Sequence, residues 1–510
     1  MNKILKKITL ENLLCLFIII CPILDSASFL FRNYFNTRLS ISTIIRPIIP
    51  IIVITYIFIK DRIKTPLIFA GITYILYGII HIYIFKYLQT ESAYGNILRE
   101  LQYIINYTFM IMNLFTYLYV FMFRKKCEEN NINKLKKAML VSFTIYVTLM
   151  FVAIISGTSS HTYVEDKMGY KGWFESGNTI GAIMIITLFI LLPMVKKENN
   201  VKTNLWLGIV ILFSIIYMTI LLGTRIGLFG TIIVFVVYII CKIVYELLHN
   251  KKISKIALGI VVSTFSLIVI LIVFLGSTTL SRRKLLKDRE DDIYDNMQQE
   301  VSHVTGDILN LVNKIRNNEV SESYMKKDVQ QAIIDLYNFN TEHKVPYTNM
   351  RLTQLIYHMS LIKEQKSILL ILFGNGYMNH YYELIFEMEV PAFLFNFGIY
   401  GFTIFFIPFL VIAVYGGIFA IKNMKKINIE CVMSILSLWF SIIISFLSGY
   451  TFFNQSAATL IIAVCVIVIY EIKKAKGENF EKDNIRNNEL NAWRSREGIS
   501  RYSKQISGKI

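Results

Sequence analysis

The chain has 510 residues, of which 55% are hydrophobic and 17% are charged, and its mean hydropathy is +0.52. A soluble domain would carry about a quarter charged residues, so this composition excludes a soluble protein. The formal net charge of +18 is concentrated in short clusters between long apolar runs. That placement indicates membrane topology and argues against a nucleic-acid-binding surface.

The apolar runs recur along most of the chain, and each is long enough to cross a hydrocarbon core about 30 Å thick as a helix. They predict about twelve transmembrane helices near residues 10–29, 41–59, 66–88, 101–123, 138–156, 179–195, 205–222, 226–246, 256–277, 394–420, 428–447 and 457–472. Lysine and arginine clusters alternate between successive connections. The positive-inside rule then predicts an all-α polytopic protein of the plasma membrane, with both termini in the cytoplasm.

The first apolar run has a second interpretation, as a signal peptide, because Ser26, Ala27 and Ser28 resemble a cleavage site. Cleavage there would leave an odd number of spans, so we favour an uncleaved first helix. The six cysteines lie in or beside predicted spans or in a cytoplasmic loop, and no CxxC or HxxH spacing occurs. This spacing therefore predicts no disulfide framework and no metal site. We also expect no cofactor.

One long insertion follows the ninth span and, on the predicted topology, lies on the outer side. Apolar residues recur there at intervals of three and four in 293–315, 325–336 and 352–362, which predicts a small helical cap. The predicted organisation is membrane helices 1–9 in 1–277, an extracytoplasmic helical cap and active-site loop in 278–393, membrane helices 10–12 in 394–472, and a polar, disordered cytoplasmic tail in 473–510.

Charged residues within or beside predicted spans are candidates for function. Asp25 and Arg46 lie near the outer ends of the first two spans, where a contact between them would form a structural ion pair. Arg225 lies in a tight outer turn between Gly223 and Gly227. A guanidinium at the membrane boundary can bind a phosphate through two parallel hydrogen bonds, although it can equally anchor lipid headgroups.

A third group of polar residues lies between the cap and the tenth span. His380, Glu387 and Glu389 follow a Gly-Asn-Gly segment at 374–376. A histidine or a carboxylate at the membrane surface can act as a general base. Outer loops commonly contain such residues, so this pattern alone does not establish catalysis.

Several short motifs carry a family resemblance across about residues 20–420. They are 22–25 (PILD) with Arg46, 171–178 (KGWFESGN), 222–225 (LGTR), Arg351 ahead of 373–377 (FGNGY), and 386–389 (FEME) ahead of 397–402 (FGIYGF). In their order, spacing and sidedness they resemble the O-antigen ligase/O-antigen polymerase superfamily of membrane glycosyltransferases. The closest likeness is to versions from low-GC bacteria.

The resemblance implies a reaction on the outer face of the membrane, in which glycan passes from a polyprenyl-diphosphate carrier to a sugar hydroxyl without nucleotide or metal. It assigns the diphosphate to Arg225, with Arg46 and Arg351 as helpers. It also assigns sugar binding to Glu175 and Asn178.

The base stays open between His380, Glu387 and Glu389. Many family members carry a His-Asn pair shortly before the glycine-containing span, where this chain reads FEME at 386–389. Either His380 replaces that histidine from a shifted position, or a glutamate accepts the hydroxyl proton.

The expected function is polymerisation of an O-antigen, capsule or exopolysaccharide from lipid-linked repeats. A flippase and a chain-length regulator of the same pathway are expected partners, together with membrane lipid. A ligase of the same fold, which moves finished glycan to a terminal acceptor, is the first alternative. A flippase is the second, but it predicts related halves and charges through the middle of the membrane, and neither is apparent.

Overall fold

The computed structural model describes residues 9–35, 41–60, 65–87, 97–123, 128–164, 166–195, 201–249, 266, 276–296, 307–322, 325–343, 345, 350–376 and 386–477. Most of these residues are helical. The helices, in chain order, are α1 (Leu10–Phe35), α2 (Ile41–Lys60), α3 (Thr65–Tyr87), α4 (Ile97–Leu118), α5 (Glu129–Ile155), α6 (Gly177–Leu191), α7 (Val201–Ile216), α8 (Thr231–Leu248), α9 (Thr278–Asn296), α10 (Asp307–Arg316), α11 (Lys327–Glu342), α12 (Met350–Gln365), α13 (Ile368–Phe373), α14 (Glu389–Phe405), α15 (Ile407–Lys422), α16 (Ile429–Leu447) and α17 (Gln455–Ala475).

Eight helices in the described part of the chain are long and apolar enough to cross a bilayer. They are Leu10–Phe35, Glu100–Phe123, Glu129–Ile155, Gly177–Met194, Thr203–Leu221, Ile226–Leu248, Ile429–Leu447 and Gln455–Ala475. Each coincides with a predicted span, which confirms an all-α polytopic membrane protein. Shorter apolar stretches of α2 and α3 fall on two further predictions. The predicted span near 256–277 lies almost wholly outside the described residues, as does the predicted tail beyond Gly477.

The span predicted near 394–420 is not one straight helix. Two helices, α14 and α15, meet there at an angle of 51°. Within α14, Gly398 has φ 66° and ψ −175°, a backbone conformation that is essentially restricted to glycine. Pro408 lies at the start of α15, where its missing N–H could not have continued the preceding helix. The span is therefore broken at Gly398 and bent again at Phe406.

The centre of the bundle is formed by α6 and α17, whose side chains are almost all buried. A helix that is apolar on all sides belongs in the interior. Helix α16 packs against both, and α5 packs against α1 and α6. The outer helices α3 and α8 instead expose large aliphatic side chains such as Ile75, Ile79 and Ile240, as expected where a helix faces lipid.

A buried charge network joins three helices at one end of the bundle. Lys136 Nζ of α5 donates to Glu430 of α16 at 2.6 Å and to Glu471 of α17 at 2.9 Å. Asn428 Nδ2 donates to the second oxygen of Glu471 at 3.2 Å. The predicted topology assigns all three helix ends to the cytoplasmic side, and the structure places them together.

The predicted cap region contains helices with a hydrophobic core of their own. Residues of α10, α11 and α12, among them Val312, Ile333, Leu336 and Tyr357, form a cluster separate from the core of the membrane bundle. Helices α11 and α12 fall on the periodic stretches predicted at 325–336 and 352–362. That the cap lies on the outer side stays a prediction.

A two-stranded antiparallel sheet, β1 (Ser160–Tyr163) and β2 (Met168–Gly172), precedes α6 and was not predicted. Its strands are only four and five residues long. The connection between two spans is too short for the alternating pattern that identifies a strand to stand out.

Substitution of Gly398 by alanine should strongly reduce the amount of folded protein. A Cβ there would lie 2.5 Å from the backbone of Gly374 and Leu372, and the positive φ adds strain of about 1–3 kcal/mol. Gly208→Ala is the matched control, because a Cβ at Gly208 meets nothing within 4 Å. The size-exclusion yield and the thermal midpoint in detergent are compared between Gly398→Ala and Gly208→Ala. Equal values for the two variants would contradict the assigned backbone conformation.

Candidate active site

Asp25 of α1 and Arg46 of α2 form a buried ion pair. The Arg46 guanidinium donates to Asp25 Oδ1, to Ser456 Oγ at 2.6 Å and to Gln455 Oε1 at 3.3 Å. The Tyr146 hydroxyl of α5 donates to the other oxygen of Asp25 at 2.7 Å. Only 9% of the Arg46 side chain is exposed. Its charge is neutralised by Asp25, and its hydrogen bonds join α1, α2 and the start of α17.

Arg225 lies on a turn flanked by two π-helical segments, Tyr217–Leu221 and Ile226–Gly230. Such segments are rare and frequently occur at functional sites. Four backbone carbonyls of the turn accept hydrogen bonds from hydroxyl side chains: Thr219 from Ser277 at 2.8 Å, Ile220 from Thr278 at 2.9 Å, Leu222 from Thr162 at 2.7 Å, and Thr224 from Thr279 at 3.3 Å. The hairpin and the start of α9 therefore fix the turn.

The Arg225 side chain is exposed and has no hydrogen-bonding or ionic partner in the described part of the chain. Four other arginines have carboxylate partners: Arg46 pairs with Asp25, Arg351 with Glu387, Arg32 with Glu175, and Arg282 with Asp166. The fixed turn thus presents an uncompensated positive charge that is available to an incoming anion.

The two predicted sugar-binding residues lie beside the Arg225 turn. Gly177, the first residue of α6, has no side chain, and a Cβ there would lie 3.1 Å from the Thr224 methyl group. Asn178 follows Gly177 and is half-buried, whereas Glu175 is exposed and pairs with Arg32 at 2.9 Å. The close approach of Thr224 to Gly177 brings this segment next to Arg225.

One aromatic contact connects the Asp25–Arg46 pair with the 171–178 segment. Tyr146, which donates to Asp25, packs on Phe174 with ring centroids 5.4 Å apart.

Within the 171–178 segment, Lys171 Nζ donates to the Glu175 carbonyl at 2.9 Å. Partial burial lowers the pKa of Lys171, and the nearby Glu175 carboxylate partly opposes this.

The two candidate glutamates have different surroundings. The Glu389 carboxylate is fully buried and accepts hydrogen bonds from the backbone N–H groups of Thr451, Phe452 and Phe453, and from the Thr451 hydroxyl. Glu387 is about 41% exposed and pairs with Arg351 at 3.3 Å. Glu389 therefore organises the loop before α17, whereas Glu387 is accessible to a substrate.

His380, the third candidate base, lies outside the described residues. The structure adds a pair that the sequence reasoning missed: His81 of α3 and Glu100 of α4 are buried, with Nε2 and Oε1 2.5 Å apart. Both are ionisable residues within or next to predicted spans, and that position was the signal that could have identified them. No group of three or more His, Cys, Asp or Glu side chains forms a metal site among the described residues.

A family model described as O-antigen ligase like membrane protein matches residues 7–475. The chain belongs to this family. No curated protein and no solved structure matches it.

Membership of the O-antigen ligase-like family gives this membrane protein a glycan-processing role, as polymerase or ligase, with a glycosyltransferase-type activity. It also implies lipid-linked glycan substrates. The family match covers all three groups of residues described above: the Asp25–Arg46 pair, the Arg225 turn and the Arg351–Glu387 pair.

Breaking the Asp25–Arg46 pair should destabilise the protein more than removing both charges together. Asp25→Asn or Arg46→Gln alone leaves one buried charge unpaired, at a cost of about 3–5 kcal/mol. The double variant leaves none. The coupling between the two residues is measured from the thermal midpoints of the variants in detergent. Glu322→Gln, in the exposed Lys327–Glu322 pair, is the control and should change the thermal midpoint little. Strictly additive effects of the two single changes would show that the residues act independently.

Proposed function

We propose that this protein is a polysaccharide polymerase that transfers glycan from a polyprenyl-diphosphate carrier to a sugar hydroxyl on the outer face of the membrane. The observation that carries the proposal is the exposed guanidinium of Arg225, which has no partner in the part of the chain that the structure describes, on a turn whose backbone is held by four hydroxyl groups.

The leaving group of this reaction is an anionic diphosphate confined to the membrane surface. As the bond between the anomeric carbon and the phosphate oxygen breaks, its electron pair stays with the diphosphate. A preorganised guanidinium stabilises this developing charge without reorganising. Arg225 is therefore the diphosphate-binding residue, with Arg351 as a helper. Arg46 acts by holding the start of α17, because Asp25 already neutralises its charge.

The acceptor hydroxyl forms the new bond to the anomeric carbon and loses its proton to a base. Of the described candidates we favour Glu387, because its carboxylate is accessible. Glu389 holds the loop 451–453 beside it, and His380 stays an alternative base. Glu175 and Asn178 bind sugar next to the diphosphate. The step balances without metal or nucleotide, because the glycosyl–phosphate bond supplies the leaving group.

A polymerase and a ligase of this fold would share the donor and differ in the acceptor. A polymerase uses a second lipid-linked repeat as acceptor, so a single purified substrate is sufficient for product formation. A ligase requires a separate terminal acceptor. In the cell, a flippase would supply the repeats and a chain-length regulator would act on the product.

Arg225→Ala should abolish polymer formation without changing the fold. In a strain lacking this gene, we expect single lipid-linked repeats to accumulate on the outer face, and those repeats, once purified, are the assay substrate. Wild type should convert them to lipid-linked polymer, Arg225→Ala should lose about a hundredfold or more in rate, and Arg225→Lys should fall between them, because lysine keeps the charge without the bidentate geometry.

Arg316→Ala, in cap helix α10, is the control for loss of an arginine distant from the turn. Product only after addition of a separate acceptor would identify a ligase. Accumulation of repeats on the inner face in the deletion strain would identify a flippase, and full activity of Arg225→Ala would refute the diphosphate assignment.

Substitution of Glu387 should mainly reduce kcat, whereas substitution of Glu389 should mainly reduce thermal stability. Glu387→Gln should leave the thermal midpoint near that of wild type and reduce kcat by about a hundredfold or more, as expected for loss of a general base. Glu389→Gln should instead lower the thermal midpoint, because the amide cannot accept all the hydrogen bonds of loop 451–453. If Glu387→Gln retains full kcat, the base lies elsewhere, and His380→Gln is the next variant to assay.

A further inference from the structure

The His81–Glu100 pair lies against the loop 374–376. His81 Nδ1 is 2.7 Å from the carbonyl oxygen of Phe373, the last residue of α13. A Cβ on Gly376 would lie 3.3 Å from the carboxyl carbon of Glu100. Both side chains are fully buried. The pair therefore supports the loop from the side of α3 and α4.

The hydrogen-bond geometry fixes which nitrogen of His81 carries a hydrogen. A carbonyl oxygen only accepts, so Nδ1 must donate to Phe373. Nε2 faces the Glu100 carboxyl group, with Nε2 and Oε1 2.5 Å apart. This contact with Glu100 orients the imidazole toward the Phe373 carbonyl.

The loop 374–376 in turn contacts the broken part of α14. The positive φ of Gly398 interrupts the helix, so the carbonyls before it lose helical partners. They accept from outside the helix: Phe395 from the Asn375 N–H at 2.8 Å, Asn396 from the Gly376 N–H at 2.9 Å, and Phe397 from the Tyr77 hydroxyl at 3.0 Å. Helix α3 thus contacts both the loop, through His81, and the break, through Tyr77.

The same part of α14 contacts the residue next to the candidate base. Phe395 packs on Phe386 with ring centroids 5.5 Å apart, and Phe386 precedes Glu387. His358 of α12 also stacks on Phe386, with ring centroids 4.1 Å apart. A contiguous series of contacts therefore runs from His81 through Phe373 and the loop to the segment that holds Glu387.

We propose that His81, oriented by Glu100, is a positioning residue for the transfer reaction: its hydrogen bond to the Phe373 carbonyl fixes the loop 374–376 on the broken helix that follows Glu387. This role rests on the proposed function. The contacts reach the base side of the site and not the Arg225 turn, so loss of His81 should lower kcat and leave KM for the lipid-linked repeat unchanged.

Two double variants test the position of the donor at constant charge. Asparagine reaches about as far as Nδ1 and glutamine about as far as Nε2, so His81→Asn with Glu100→Gln keeps a donor near Phe373, whereas His81→Gln with Glu100→Gln does not. The asparagine variant should keep kcat within about threefold of wild type. The glutamine variant should lose about ten- to a hundredfold, the scale expected when a reacting group is displaced by about 1 Å.

The assay uses the full chain in detergent, normalised to the folded peak, with repeats purified from the deletion strain as substrate. Hydrogen exchange of the Asn375 and Gly376 amides is measured on the same samples. The exchange rate of these two amides should increase in the glutamine variant alone. The amides of α11 serve as an internal reference whose exchange rate should not change. A purely structural role would lower the folded yield of both variants and leave kcat per folded molecule the same.

Equal kcat and equal exchange in the two double variants would overturn the proposal. Exchange does not depend on activity, so it separates this inference from the proposed function. If wild type transfers no glycan but the glutamine variant frees the loop, the proposed function fails and the loop contact stands. If wild type is active and both variants match it in kcat and exchange, the contact at Phe373 has no positioning role.

Discussion

The structure depends on one constraint: a backbone group inside a membrane protein has no water to bond with, so every interruption of a helix needs a partner supplied by the protein. Two such interruptions in the described part of the chain lie beside the candidate site residues: the turn between α7 and α8 around Arg225, and Gly398 within α14. At the first, hydroxyl groups of the hairpin and of residues 277–279 donate to the exposed carbonyls. At the second, the loop 374–376 and Tyr77 do so. Each break is therefore rigid, which is the property that a catalytic site requires.

Buried charged side chains are subject to a similar constraint. Burying an ion is costly unless it is paired, and three buried ionisable groups have partners: Arg46 has Asp25, Lys136 has two glutamates, and His81 has Glu100. Glu389 is bonded by the N–H groups of loop 451–453, which leads directly to the residues that contact Arg46. The paired groups fix helices relative to one another. Arg225, in contrast, is exposed and has no partner among the described residues, which is why we propose it as a ligand-binding group.

The sequence predicted the membrane helices well because apolar length is a direct physical signal. It placed Asp25 and Arg46 at the same level of the membrane, and the structure brings them into contact. It did not predict the break at Gly398, because the apolar run continues through it without a change in composition. It could not separate Glu387 from Glu389, since two residues of spacing give no information on burial. His81 and Glu100 were visible as ionisable residues, but only the fold shows that they meet.

The Arg225 turn and the Gly398 break are built from different parts of the chain. The Arg225 turn is built from the α7–α8 connection and lies beside the start of α6, where we propose that it binds the anionic end of the donor. The Gly398 break belongs to the helix that follows Glu387, and its supports come from α3 and α13. Because these supports share no element, the Arg225 turn and the Gly398 break are held in position by separate parts of the fold.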